Sequence, residues 1–286
     1  MSESTAPAVS PSLDPSGRPL RSTRPGAGNS RAGRSGTVPP VAGVLTAYLT
    51  LLRWQLAQLG PMIPLVAVIQ LLLAGGIVVG FGFLLNEGDT ASATFLSTGT
   101  PTVLLLTLGL VIVPQGVAAA RANGTLTYLR AQPVPRLVLF LADLTLWVLV
   151  ALPSVVVAGL AAWWRFDVEF SFDWPLLIAG VLLVTVMATS VGYAIAVTLP
   201  TMLAQVISQV MVFFVLMFSP VTFPVERLPD WYAGVHEVLP VMPAGDVIRA
   251  GLVSGTYSAA GQDLLVLAVW AAAGVGLTLL ALMRRK

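Results

Sequence analysis

The chain has 286 residues, of which 56% are hydrophobic and 10% charged, and its formal net charge is +2. It has no cysteine and a single histidine, His236, which excludes disulfides, thiolate or multi-histidine metal sites and cysteine nucleophiles. The Gly-x-x-x-x-Gly-Lys phosphate-binding pattern is also absent, because Lys286 is the one lysine. Any ATP that drives this protein is therefore hydrolysed on another chain.

Residues 1–40 are rich in Pro, Gly, Ser, Thr and Arg and poor in large apolar residues, which is typical of a disordered segment. They contain no apolar stretch of the kind that a signal peptide needs, so we expect a cytoplasmic tail. An organelle transit peptide, which is also rich in Arg and Ser, is the alternative. The preference for Arg over Lys, with much Ala, Gly and Val, is typical of a high-GC genome and favours an actinobacterial source.

Residues 41–60 form a separate element, in which apolar residues recur every three or four positions and so share one helix face. These apolar residues are Val41, Val44, Leu45, Tyr48, Leu52, Leu56 and Leu59. Because Thr, Arg and Gln lie between them, we predict an amphipathic helix in the cytoplasmic membrane interface. An extension of the first membrane span is the alternative. Gly60 and Pro61 then turn the chain into the membrane domain, residues 61–286.

Six apolar stretches follow, each close to the 20 or so residues that a helix needs to cross the hydrocarbon core. They are residues 61–85, 102–120, 137–164, 175–199, 203–223 and 264–283. Arg residues collect in the tail, in the second connection and at the C-terminus, so the positive-inside rule places both termini in the cytoplasm. This sorting of charge reflects topology and implies no nucleic-acid partner. We predict an all-α, six-span protein of the plasma membrane.

Polar side chains within the spans are few. Gln115, Gln205 and Gln209 lie at membrane depth, and the last two are one turn apart on one helix face. Hydrogen bonding between helices and the lining of a substrate path are both open interpretations. Two prolines, Pro114 and Pro153, are expected to kink the second and third spans.

Asp143 is the only acidic residue within an apolar span. It lies seven residues after Arg136, which is about 10 Å along a helix, and therefore near the cytoplasmic surface. A structural ion pair with Arg136, Arg130 or the amphipathic helix is one interpretation, and a role in proton relay is the other.

The connection between the second and third spans predicts a short helix that projects into the cytoplasm. Asn123 is a suitable N-cap, Leu126 and Leu129 fall on one face, and two prolines follow. Because this helix would be joined to two spans, a push on it would move both. An ordinary loop helix is the alternative.

The segment after the fifth span carries Pro220, Pro224 and Pro229, which break the helix near the outer surface. Trp231 and Tyr232 add aromatic rings that favour the membrane interface. We predict a re-entrant pair of short outer helices before the last span, closing a path from outside. Irregular backbone at this depth requires cover by protein or water.

Together these segments resemble the membrane permeases of type-2 ABC exporters, a group that includes drug and antibiotic, sodium, polysaccharide and teichoic-acid exporters. The resemblance covers residues 41–286. The matching motifs are Gly124-Thr125-Leu126, then Pro224, Leu228, Pro229 and Trp231, then Leu239-Pro240, Asp246 and Arg249. The chain departs from the family where Ala122 and Thr127 replace common glutamates and Pro220 replaces a common glycine.

The resemblance implies a pair of permease halves, either a homodimer or a related heterodimer, embedded in lipid and bound to two ABC ATPase subunits. ATP and Mg would lie on those subunits, leaving this chain with no cofactor, metal or catalytic residue. The residues implied at the ATPase contact are Arg121, Gly124, Thr125, Leu126, Leu129 and Arg130. The substrate path would include Gln115, Gln205 and Gln209, and the outer gate Pro220, Pro224, Pro229 and Trp231.

The Gly-Thr-Leu motif is more similar to that of drug and small-amphiphile exporters than to that of polysaccharide exporters. A drug-like or amphipathic small molecule is therefore the expected substrate, and a glycan or lipid-linked polymer is the alternative. An ion-coupled secondary transporter would need ionisable groups at the midplane or inverted repeats. An intramembrane enzyme would need a nucleophile or paired acids at one depth. The sequence offers neither set.

Overall fold

The computed structural model describes residues 41–83, 85, 89–125, 134–218, 220–221 and 229–284. The predicted tail, residues 1–40, lies outside this part of the chain. Within it the fold is helical, and the one β-type contact is an isolated bridge between Ser171 and Val253. The predicted all-α class is confirmed.

The helices are numbered here in chain order. Two short non-α segments interrupt the series, a 3-10 turn at Gly60–Met62 and a π-helical turn at Leu108–Ile112. The α-helices are α1 Val41–Leu59, α2 Ile63–Gly82, α3 Thr90–Thr107, α4 Val113–Ala122, α5 Arg136–Phe166, α6 Trp174–Thr198, α7 Thr201–Phe218, α8 Asp230–Val238, α9 Val241–Leu252 and α10 Gly261–Arg284.

Six helical segments of the described chain are long and apolar enough to cross a membrane, as predicted. The second span begins at Thr90, twelve residues earlier than the apolar pattern indicated. Its first three turns are rich in Thr and Ser, and three of the threonine hydroxyls bond to backbone carbonyls of the preceding turn. Thr98 Oγ1 donates to Thr94 O at 2.7 Å and Thr100 Oγ1 to Leu96 O at 2.9 Å. Because the helix itself satisfies these hydroxyls, they are compatible with burial.

The second and fourth spans form the interior of the bundle. Each has 61% of its most apolar window buried within the protein, against 22–28% for the other four spans. The backbones of these two spans touch where Gly109 meets Gly192. A Cβ added at Gly192 would lie 2.0 Å from the Gly109 carbonyl oxygen, so neither position has room for a side chain. Small residues allow membrane helices to approach this closely.

The second span changes its helical pitch where the sequence predicted a proline kink. Val113 donates its backbone N–H to Leu108 O, an i to i−5 bond, and Pro114 follows at the start of α4. Proline lacks an N–H and its ring crowds the preceding turn, and the wider π turn relieves both problems. Pro153 differs, because α5 continues through it.

Helix α1 lies along α5. Leu51 of α1 is buried in a cluster with Val138 and Ala142, and Tyr48 donates from its hydroxyl to Thr145 Oγ1 at 2.8 Å. The 3-10 turn that contains Pro61 joins α1 to α2. The placement of α1 in a membrane interface stays a prediction.

The connections group at two ends of the bundle. At one end, the α5–α6 connection pairs with the end of α9, where Ser171 N donates to Leu252 O and Asp173 N to Gly251 O. At the other end, Arg121 bonds to the end of α6 and Arg136 to Leu282 O near the end of α10. This grouping is the alternation that six spans require. The assignment of one end to the cytoplasm stays a prediction.

Candidate functional site

The predicted ATPase-coupling region begins at Arg121, in the last turn of α4. Its guanidinium donates from Nη1 to the carbonyl oxygens of Ala196 and Leu199, the second bond being 2.8 Å long. These carbonyls belong to the end of α6, where backbone acceptors lack helical partners and a cation is favourable. Arg121 therefore ties the second span to the fourth from within the protein.

The turn after α4 depends on Gly124, whose φ of +74° is a left-handed conformation that favours glycine. Asn123 N donates to Ala119 O at 2.9 Å, which makes Asn123 the C-cap of α4. Asn123 was predicted to be the N-cap of the next helix, and this prediction is wrong. Gly124 follows Asn123, and helical geometry resumes only at Thr125. Three further predicted coupling residues, Leu126, Leu129 and Arg130, lie outside the described residues.

The three predicted path residues, Gln115, Gln205 and Gln209, are all exposed in the single chain. Helix α7 packs on the bundle through a buried stripe of Ala204, Ser208, Val212 and Val215, which leaves its two glutamines facing outward. None of the three amides forms a hydrogen bond within the described part of the chain. An unpaired amide facing hydrocarbon is unfavourable, so these surfaces need protein or water beside them.

The predicted outer-gate residues occupy two different environments. Pro220 is buried together with Val221, whose carbonyl oxygen would lie 1.9 Å from a Cβ added at Gly99 in α3. Pro229, in contrast, is exposed as the N-cap of α8, and the Trp231 side chain is 72% exposed. Pro224 lies outside the described residues. Pro220 and Val221 therefore lie inside the bundle, whereas the start of α8 lies at its surface.

A buried arginine, Arg249, binds the start of the segment that follows α7. Arg249 of α9 is 1% exposed, and its Nη2 donates to Val221 O at 3.1 Å. Its Nε donates to Thr98 Oγ1 at 3.3 Å, and the guanidinium carbon lies 3.5 Å from the centre of the Phe95 ring. Burial lowers the pKa of Arg249, and the carboxylate of Asp246 opposes that shift. Arg249 thus joins α3, α9 and the start of the segment after α7.

A cavity of about 200 Å³ lies at the opposite end, among α1, α4, α5, α6 and α10. Asp143 lines it and, within the described part of the chain, forms no hydrogen bond or ion pair. Arg136, one of its predicted partners, instead donates to Leu282 O. Arg130, the other named arginine, lies outside the described residues. The cavity itself was not predicted, because its walls come from five helices far apart in sequence.

The sequence matches a family model described as ABC-2 type transporter over residues 42–253. The matched region includes α1, the first five spans, Asp143 and the Asp246–Arg249 pair. A comparison with curated proteins gives no match.

Proposed function

Because the chain belongs to the family of ABC-2 type transporters, we propose that it forms the export path for a drug-like or amphipathic small molecule. It is a multi-pass membrane permease subunit of an ABC transporter. In the proposed assembly, two permease copies or related halves pair in the plasma membrane with their termini in the cytoplasm. Two separate ATPase subunits supply the energy.

The anchoring of Arg121 is the observation that carries this proposal. The segment that leaves α4 at Gly124 starts where α4 is bonded to the end of α6. These two helices belong to the second and fourth spans, the most buried pair in the bundle. A force applied by an ATPase to the segment beginning at Gly124 would therefore reach both interior spans. The proposed contact set is Arg121, Gly124, Thr125, Leu126, Leu129 and Arg130.

The exposed amides support a paired arrangement. Gln205 and Gln209 lie on the free face of α7, whose other face is packed against the bundle. A second permease copy on that face, or water in a path between two copies, would remove the cost of placing amides against lipid. We assign the path to the surface that carries these two residues, with Gln115 of the neighbouring α4 beside it.

A small amphiphile fits the described cavity better than a polymer. The cavity walls are mainly apolar and aromatic, with a few polar groups, which is the usual composition of a small-molecule site. A polymer would not fit in a cavity of about 200 Å³.

Reconstitution with the partner ATPase tests this function. The purified pair is placed in lipid vesicles, and ATP hydrolysis is measured with drug-like amphiphiles and, separately, with lipid-linked oligosaccharides. We expect amphiphiles to stimulate hydrolysis and to be moved across the bilayer. Stimulation by the oligosaccharides alone would reject the proposed substrate class, and failure to retain any ATPase would reject the coupled mechanism.

A further inference from the structure

The cavity beside α1 contains a carboxylate for which the described protein provides no partner. Asp143 lies two turns into α5, in an apolar span. Placing an unpaired charge there is costly, and such residues in membrane proteins usually serve a ligand or ion. Its contacts within the described chain give it no structural explanation, because Arg136 is bonded to the end of α10.

Asp143 is partly exposed, whereas two other polar atoms in the cavity wall are buried without partners. These are the side-chain oxygen Oε1 of Gln55, a residue 8% exposed, and the indole Nε1 of Trp147, a residue 5% exposed. Both residues line the cavity together with Asp143. Buried polar groups are normally satisfied, so unpaired atoms that share one cavity indicate a missing partner. Two of the three groups, the carboxylate and the amide oxygen, accept hydrogen bonds.

Four aromatic rings form part of the cavity wall. Trp54, Phe140, Trp147 and Tyr193 all line the cavity, and the Phe140 and Tyr193 rings meet edge to face with centroids 5.5 Å apart. Aromatic faces attract cations, and organic cations in particular, because desolvating them is inexpensive. A carboxylate with acceptor oxygens and aromatic rings is complementary to an organic cation with an apolar body.

We propose that this cavity is a binding site for an amphipathic organic cation, whose charged group lies against Asp143 and Gln55 and whose apolar part contacts the aromatic rings. This proposal rests on the proposed function, since it names the charge of the exported small molecule. Arg136 also lines the cavity, but it lies about 10 Å before Asp143 along α5 and its guanidinium donates to Leu282 O at the end of α10. The site lies at the same end of the bundle as Thr125, which also lines the cavity.

Equilibrium binding to the permease alone tests the proposal. The full chain is purified in lipid nanodiscs, and binding of radiolabelled benzyltrimethylammonium is measured for the wild type, Asp143→Asn, Asp143→Glu and Trp147→Leu. We expect saturable binding to the wild type and, from the loss of one charged contact, at least about tenfold weaker binding to Asp143→Asn. Asp143→Glu restores the charge and should bind within about threefold of the wild type, and Trp147→Leu should bind more weakly.

Glu169→Gln is the matched control. It removes an exposed acid in the α5–α6 connection, at the opposite end of the bundle, and should leave binding of the probe unchanged.

Equal binding by the wild type and Asp143→Asn would overturn the proposal, as would an absence of saturable binding. Arg130→Ala is measured as well. If this variant binds the probe and the wild type does not, Asp143 is the ion-pair partner of Arg130 and the proposal also falls. Neither failure would alter retention of the ATPase or stimulation by neutral amphiphiles, so the proposed export function would be judged separately.

Discussion

Arg249 donates from Nη1 to Asp246 Oδ1 at 2.6 Å, one turn away on α9. The arginine side chain is 2% exposed and the aspartate 29%, so one charge is fully inside the protein and its partner half-buried. The same guanidinium also donates to Val221 O, three residues after the end of α7. The Asp-x-x-Arg motif thus joins α9 to the second span and to the segment after α7.

Substitution of Arg249 by Met should destabilise the fold. Removing Arg249 leaves the half-buried carboxylate of Asp246 without its charged partner, and losing a hydrogen bond to a charged group costs about 1.5–3 kcal/mol. The substitution would also leave Val221 O without this donor. Thermal unfolding in detergent should show a markedly lower midpoint. Arg165→Met is the control, because Arg165 is an exposed arginine near the end of α5, and its midpoint should stay near that of the wild type. Similar midpoints for the two variants would refute the anchoring role of Arg249.

The contact between the two interior spans predicts a different response at two helical glycines. Gly192→Ala places a methyl group 2.0 Å from Gly109 O and should cost about 1–3 kcal/mol by forcing the spans apart. Gly159→Ala places the same group in α5 with nothing within 4 Å, and helix propensity should make it neutral or stabilising by up to about 1 kcal/mol. Unfolding midpoints of the two variants test this contrast. A Gly192→Ala protein as stable as Gly159→Ala would mean that the backbones do not touch.

The number of spans and their order could be predicted from hydropathy, since each span needs a run of apolar residues of fixed length. The residue at which the second span begins could not be predicted in this way. Thr98 and Thr100 make its first turns look polar, although both hydroxyls are satisfied within the helix. The motif around Gly124 was visible in sequence, while the bonds of Arg121 to α6 were not, because they join positions about 75 residues apart.

The cavity around Asp143 shows the same limit. Sequence indicated that this acid was unusual and suggested Arg136 as a partner, because the two are close along one helix. In the structure Arg136 donates instead to Leu282 O, a residue of α10 that lies 146 positions later in the chain. The unpaired atoms of Gln55 and Trp147 carry no sequence signal at all, since their isolation depends on which helices surround them.

Topology can be tested with single cysteines, because the native chain has none. Asn123 is exposed at the end of α4 and Glu169 is exposed in the α5–α6 connection, at opposite ends of the bundle. In intact cells, Glu169→Cys should react with an impermeant thiol reagent and Asn123→Cys should react only after the membrane is opened. The reverse pattern would place the termini outside, and reaction of both in intact cells would contradict the six-span arrangement.

Pairing through α7 can be tested by crosslinking. Gln205→Cys or Gln209→Cys should form disulfide-linked dimers in the membrane under mild oxidation, if a second copy faces this helix. Leu160→Cys, on the exposed surface of α5, is the control and should remain monomeric on denaturing gels. Crosslinking at Leu160 with none at the two glutamine positions would move the interface to α5 and away from the proposed path.

The central claim, that this permease is driven by a separate ATPase through the segment after Gly124, is tested most directly by the double variant Leu126→Asp with Leu129→Asp. Two carboxylates buried in an ATPase groove would cost several kcal/mol, enough to lose a micromolar complex. The matched control is Val235→Asp with Val238→Asp, which adds the same charge on exposed positions of α8. Retention of the ATPase on the purified permease and amphiphile-stimulated ATP hydrolysis are measured for both. We expect the first variant to insert normally but lose both properties and the control to keep them; full retention and stimulation in the first variant would contradict the account.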